Sequence, residues 1–157
     1  FGNFLIKQVA NDLNFEFNNI KKFITLSPVP GLRNWIKNKN PKFELTLEKF
    51  KKPEQFLKIK PSLMRYAGDY FLNSDRSDGV PNDPVARFHL GNGASLEQIN
   101  YLGDASLNGL NLSGGLMVNY LYDLDKVEEN HEAFISENKI NISKNAKKDL
   151  IQYAKDN

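Results

Sequence analysis

The stretch Asp83-Pro84-Val85-Ala86-Arg87-Phe88-His89-Leu90-Gly91-Asn92-Gly93-Ala94 sets the limits of one short helix and puts a histidine on it. Asp83 can cap the free amides of a helix start, and Pro84 suits the first helical position. Gly91 and Gly93 can both take the left-handed conformation that ends a helix. The spacing predicts about two turns. Val85, Phe88 and His89 lie three and four residues apart and are expected to share a face. Such a histidine is either a satisfied, half-buried core residue or a functional group. Capping signals do not separate the two.

Downstream, residues 95–101 can form a strand, and residues 116–124 alternate clearly enough to form a second. In the latter, Leu116, Val118, Tyr120 and Tyr122 share one face, and Met117, Asn119 and Leu121 take the other. The connection from 103 to 115 is rich in Gly, Ser, Asn and Leu. It reads as a long loop, and loops of that length in a compact domain are often functional. Beyond Asp125 the chain turns charged. A last helix is expected from the cap Ser143, with Ala146, Leu150, Tyr153 and Ala154 on its inner face. His131 falls in this polar region and is expected to be solvated.

Upstream, Phe23-Ile24-Thr25-Leu26-Ser27 reads as a buried strand, halted by Pro28-Val29-Pro30-Gly31. Proline donates no ladder hydrogen bond, so the sheet should open at Ser27, and opened strand ends are common ligand sites. Residues 2–14 read as a helix, with Leu5, Val9 and Leu13 as its apolar stripe and Phe4 beside it. Gly2 and Asn3 sit at its start, where free amides can meet an anion. Residues 33–60 are lysine-rich, with anchors at Trp35, Leu47, Phe50 and Phe56 and breaks at Pro41 and Pro53. Residues 62–72 form a better helix, and residues 73–79 a loop.

Length and composition set the class. A chain of 157 residues is about one domain. A net charge of +2 with dispersed lysines lacks the clustered footprint of a nucleic-acid binder. No apolar run reaches the roughly 18 residues of a membrane span. The absence of cysteine removes disulfides, thiolate nucleophiles and thiolate metal sites. No metal-ligand cluster, phosphate loop or serine elbow is present. The periodicity thus predicts a mixed α/β domain whose polar candidates are Ser27, His89, Tyr120 and Tyr122.

The blocks Ser27-Pro28-Val29-Pro30-Gly31, Asp83 to Ala86 through His89-Leu90-Gly91-Asn92-Gly93-Ala94, Ile99-Asn100-Tyr101 and Ser113-Gly114-Gly115-Leu116-Met117-Val118-Asn119-Tyr120-Leu121-Tyr122 resemble malonyl-CoA decarboxylases. The opening Gly2-Asn3-Phe4-Leu5-Ile6-Lys7 matches as well, and the blocks follow the family's order over nearly the whole chain. The resemblance implies an α/β, partial GNAT (acyl-CoA N-acyltransferase-like) fold: a mixed sheet flanked by helices, with residues 33–80 as a helical insertion. It implies that residues 1–157 are a fragment of the carboxyl-terminal catalytic domain. The family's amino-terminal helical domain, which carries homo-oligomerisation, and the first strands of the fold would then be absent. So would an active-site glutamate expected just before Phe1.

The implied reaction converts malonyl-CoA to acetyl-CoA and carbon dioxide with no metal or organic cofactor, and with neither nucleic acid nor membrane as partner. The family's serine, histidine and tyrosine map onto Ser27, His89 and Tyr122. By the same resemblance Ser27 orients the carboxylate, His89 protonates the enolate and Tyr122 adds a hydrogen bond. Gly2, Asn3, Pro28 and Asn100 are the expected substrate-binding residues, the first two near the diphosphate of coenzyme A. In the GNAT type a tyrosine often stands four residues before a glycine, as His89 stands before Gly93. The negative end of the helix dipole is expected to favour charged His89. Departures are mild: Leu32 for phenylalanine, Tyr101 for tryptophan and Gly91 for a longer polar residue. The fragment alone is expected to be poorly stable and largely inactive. The expected compartment is a bacterial cytoplasm, or mitochondrial matrix or peroxisome in a eukaryote. An acyl-CoA-dependent acyltransferase and a non-catalytic acyl-CoA-binding module are the alternatives.

Overall fold

A computed structural model describes residues 2–43, 45–46, 50 and 52–152. The elements run α1 (Gly2–Glu16), β1 (Lys22–Ile24), β2 (Ser27–Pro28), α2 (Leu32–Lys39), α3 (Pro53–Leu72), α4 (Pro84–Gly91), β3 (Ser95–Asn100), α5 (Leu107–Ser113), β4 (Met117–Asp123), α6 (Val127–Glu137) and α7 (Lys144–Gln152). The expected Leu47, Tyr153 and Ala154 lie outside the described residues.

The sheet is organised on β4. β3 pairs along one of its edges, and β1 and β2 pair in succession along the other. Among the described residues every strand pair is antiparallel, so the expected mixed sheet is corrected. The parallel contact among the described residues is one isolated bridge, Leu96 to Ile142. Helices flank this sheet, and between residues 33 and 80 the described elements are α2 and α3.

β1 and β2 keep one register on β4: Ile24 faces Leu121 and Ser27 faces Val118, three residues on along each strand. The proline therefore does not open the sheet before Ser27, because Pro28 still faces Met117. Proline loses only its donor and keeps its carbonyl. Side chains alternate across a strand, so Phe23, Thr25 and Ser27 point to the same side as Tyr122, Tyr120 and Val118. Val118, Tyr120 and Tyr122 are buried there and form the core with Leu90, Leu96, Leu116 and Phe71.

α4 meets its expectation at the start and refines it at the end. Asp83 Oδ2 accepts a 2.7 Å hydrogen bond from Ala86 N, and Pro84 is the first helical residue. Gly91 stays helical, whereas Gly93 takes φ +85° and ends the run. The buried face is Ala86, His89 and Leu90, while Phe88 is 39% exposed. The face is thus rotated from the expected Val85–Phe88–His89 side. The small Ala86 lets the helix approach the sheet closely.

Other departures have local causes. Residues 103–115 are not a loop: Ser106 caps α5 by accepting from Gly109 N at 3.1 Å, and Leu110 is buried. Pro53 starts α3 instead of breaking a helix, since its missing N–H would be free at that position anyway. α3 then continues through Pro61. The charged run after Asp125 holds α6, which packs on α4. His131 is part-buried there, with Nδ1 2.6 Å from the carbonyl oxygen of Gly91. On α1, Leu5 and Val9 are exposed, and Ala10 makes the buried contact. Ser143 caps α7 as expected, accepting from Ala146 N at 3.0 Å.

The α4 cap carries a stability prediction. Burial pushes the Asp83 carboxyl up to about 6 from its ordinary 3.8, outweighing the amides of Ala86 and Val85 and the charge of Arg87. A carboxyl whose folded pKa is raised contributes stability that is present below the unfolded pKa and lost as pH rises through the folded one. Asparagine caps as well as aspartate but carries no charge. Asp83→Asn should therefore gain on the wild type by roughly 2–3 kcal/mol between pH 4 and pH 7.5. Urea unfolding at the two pH values measures this. A difference that does not change with pH counts against it.

Candidate active site

The site forms where α4 crosses the face of β4 shared with Thr25 and Ser27. His89 is 8% exposed and its ring stacks on Tyr120, with centroids 4.5 Å apart and planes at 23°. Nε2 lies 3.2 Å from Ser27 Oγ, and Nδ1 lies 2.8 Å from the Tyr122 hydroxyl. Both ring nitrogens are thus engaged by side chains 62 and 33 residues away in sequence. Ser27 is itself 6% exposed and Tyr122 2%. The three residues expected as the reacting set are brought into one hydrogen-bonded cluster.

The electrostatics reverse one expectation. Burial lowers the His89 pKa to about 4. The C-terminal helix dipole favours the cation, typically by 0.3–1 kcal/mol, but removing the ring from water opposes it and wins. His89 is therefore neutral near pH 7 in the unliganded protein. Burial also raises the Tyr122 phenol, so it remains an O–H. The cluster holds neutral donors and acceptors in series.

Thr25 belongs to the cluster and was not singled out from the sequence. Its Oγ1 lies 2.9 Å from Ser27 Oγ and accepts from Tyr120 N at 3.3 Å. In a regular antiparallel pair the Thr25 carbonyl would receive that amide. Here the carbonyl instead accepts from Asn119 Nδ2 at 2.8 Å, and the hydroxyl takes its place in the ladder. The Thr25 amide still donates to Tyr120 O at 2.9 Å. The alternation that put Ser27 on the Val118 face puts Thr25 beside it, which is the signal that could have found it.

The expected substrate-binding residues disperse. Asn100 faces Met117 in the ladder, so its side chain lies on the sheet side away from His89. There Asn100 Nδ2 donates to Asn119 Oδ1 at 2.7 Å. It is linked to the cluster through Asn119, which donates to the Thr25 carbonyl. Pro28 is exposed next to Ser27. Gly2 and Asn3 lie in the first turn of α1. A groove of about 270 Å³ runs between α1 and β1, lined by Leu5, Ile6, Val9, Phe23, Thr25 and Tyr122 among others. It is strongly apolar and reaches two members of the cluster. Among the described residues no cluster of His, Asp or Glu could hold a metal ion.

The sequence profile of the malonyl-CoA decarboxylase C-terminal domain matches residues 1–157. The chain belongs to the malonyl-CoA decarboxylase family. The crystal structure of malonyl-CoA decarboxylase from Rhodopseudomonas palustris is similar, with TM-score 0.81 and 43% identity over 93% of this chain and 39% of that one. The enzyme from Agrobacterium vitis gives TM-score 0.81 and 43% identity over 96% of this chain and 40% of that one. Mitochondrial malonyl-CoA decarboxylase of Mus musculus is 32% identical over 90% of this chain and 35% of its own length. The chain thus spans about a third of the curated relatives it matches. The decarboxylase family and its α/β architecture are those expected from the sequence blocks. No helix among the described residues is long and apolar enough to cross a membrane.

Proposed function

We propose that this chain carries the decarboxylation centre for malonyl-CoA, with Ser27, His89 and Tyr122 as catalytic residues. The observation that carries the reading is that both nitrogens of His89 are engaged, one by Ser27 and the other by Tyr122. The groove between α1 and β1 supports entry of the thioester arm, since it is apolar and reaches Tyr122 and Thr25. The first-turn amides of Gly2 and Asn3 then meet the diphosphate of coenzyme A. Pro28 borders the acyl end, and Asn100 acts through Asn119 on the Thr25 carbonyl.

The chemistry requires an oriented carboxylate, stabilised enolate charge and a proton donor. A malonyl carboxylate next to Ser27 places an anion beside the ring, which favours its charged form and draws a proton from solvent. Nε2–H then donates to Ser27 Oγ, and the Ser27 O–H turns to the carboxylate. The bond between the methylene carbon and the carboxylate breaks, carbon dioxide leaves, and the electron pair passes to the thioester oxygen. The Tyr122 O–H stabilises that oxygen. Transfer of the imidazolium proton to the carbon gives acetyl-CoA and returns neutral His89. One proton is consumed and no cofactor is required.

The finer fold assignment, a partial GNAT type with residues 33–80 as a helical insertion, draws support from the antiparallel sheet and from His89 four residues before the left-handed Gly93. In this reading the chain is the carboxyl-terminal catalytic part of a longer homo-oligomer, in a bacterial cytoplasm. The exposure of Leu5, Ile24 and Leu26 supports weak stability for the chain in isolation, and low activity would follow from that.

The test is release of labelled carbon dioxide from carboxyl-labelled malonyl-CoA by the full-length gene product. Stoichiometric carbon dioxide and acetyl-CoA are expected. Acylation of an amine without carbon dioxide would make it an acyltransferase, and binding without turnover a carrier module.

A further inference from the structure

We infer that Thr25 is a positioning residue that fixes the direction of the hydrogen bonds through Ser27 to His89, an inference that rests on the proposed function for its catalytic consequence. Thr25 Oγ1 has one O–H and two lone pairs. One lone pair is held by the Tyr120 amide at 3.3 Å, and Ser27 Oγ at 2.9 Å is the side-chain partner for the O–H. With Thr25 donating to Ser27, the Ser27 O–H is left to point at His89 Nε2, 3.2 Å away. Nε2 is then the bare nitrogen, and the ring proton sits on Nδ1, donating to the Tyr122 oxygen at 2.8 Å.

The sheet favours this order. The Tyr120 amide is a backbone donor in a fixed strand, and the Thr25 carbonyl that would ordinarily receive it accepts instead from Asn119 Nδ2. The amide goes to the hydroxyl and leaves it one O–H and one lone pair. Among the described residues Ser27 Oγ is the side-chain acceptor within reach of that O–H, so donation to Ser27 is the direction that leaves no Thr25 proton without a partner. In that direction the Ser27 oxygen receives the Thr25 proton. Its own O–H has two destinations: Nε2 when the ring is neutral, and the substrate carboxylate when the ring is charged. Thr25 thus restricts Ser27 to the two orientations that the reaction uses. It touches no reacting atom itself.

Three forms of the full-length gene product test this: wild type, Thr25→Val and Thr25→Ser. Valine keeps the β-branch and the Thr25 backbone bond to Tyr120 but removes the hydroxyl. The expected result is a kcat about tenfold or more lower for Thr25→Val, with KM within about twofold and serine restoring the rate. In parallel, nitrogen-15 NMR of labelled His89 in the unliganded protein reports the tautomer without turnover. Protonated Nδ1 is expected in wild type and Thr25→Ser, and a growing fraction of protonated Nε2 in Thr25→Val. Unchanged kcat, or a tautomer indifferent to the hydroxyl, would overturn the inference. Loss of the decarboxylation reading alone would appear as a wild type that releases no carbon dioxide while the tautomer still follows the Thr25 hydroxyl.

Discussion

On the proposed mechanism, replacing His89 by alanine in the full-length gene product is expected to lower kcat for decarboxylation by about 10²–10⁴-fold, the range for a general acid, while coenzyme A still binds. The ring is the group in the cluster that can take up a proton and become a cation, and Ser27 and Tyr122 both hydrogen-bond it. Steady-state kinetics with labelled substrate and calorimetry with coenzyme A measure the two halves separately. Near-normal turnover would end the assigned role. The same residue gives a sharper sign. In the unliganded protein His89 should stay neutral on acidification until about pH 4. A carboxylate-bearing substrate analogue should move that titration upward, because an adjacent anion favours the imidazolium. NMR titration with and without the analogue reads this directly. For folding, a histidine with a lowered folded pKa contributes stability present above about 6.5 and lost as pH falls through about 4. That runs opposite to Asp83, so neither slope is visible alone in the wild type, and the Asp83→Asn comparison separates them.

The second large effect concerns stability. Gly93→Ala should cost about 3–4 kcal/mol, combining a left-handed backbone that alanine resists with a clash against a packed element. A Cβ at position 93 would clash with the carbonyl oxygen of Val127, and its φ is +85°. The obstacle is backbone at the start of α6, so a side-chain rotation cannot relieve it. The Gly93 carbonyl also accepts from Asn130 Nδ2 at 3.1 Å, tying the α4 terminus to α6. Moving either helix would disturb His89, which sits in the last turn of α4. Thermal unfolding should fall by about 10 °C for a chain of this size. Gly91→Ala is the control. Position 91 is helical, and the nearest atom to an added Cβ is a Phe134 ring carbon at 3.7 Å. Alanine there should be neutral, or stabilising by up to about 1 kcal/mol. Equal losses at the two positions would contradict the backbone argument.

Local chemistry was legible where the interaction is itself local. The Asp83 cap, the proline at the first position of α4, the Ser143 cap of α7 and the alternation along β4 all depend on residues within four positions of one another. Where packing decided, the reading shifted. Phe88 is more hydrophobic than Ala86, yet Ala86 faces the sheet because a small residue lets α4 come close. Pro28 reads as a stop, yet its strand stays in register because the missing donor faces no needed acceptor. The charged run after Asp125 reads as surface, yet it forms a helix against α4.

For the site, the sequence alone determined which residue types stood at special positions: a serine beside a proline-ended strand, a histidine in a last helical turn and two tyrosines on one strand face. Family resemblance selected Ser27, His89 and Tyr122 from these. Tertiary structure decided what they do to one another. The three lie far apart in the chain, so their hydrogen bonds exist only once α4 crosses β4. It also decided the charge of His89, because the helix dipole is a local property and burial is a global one. And it brought in Thr25, whose hydroxyl gains its place only when a neighbouring strand supplies an amide that its own carbonyl has left free.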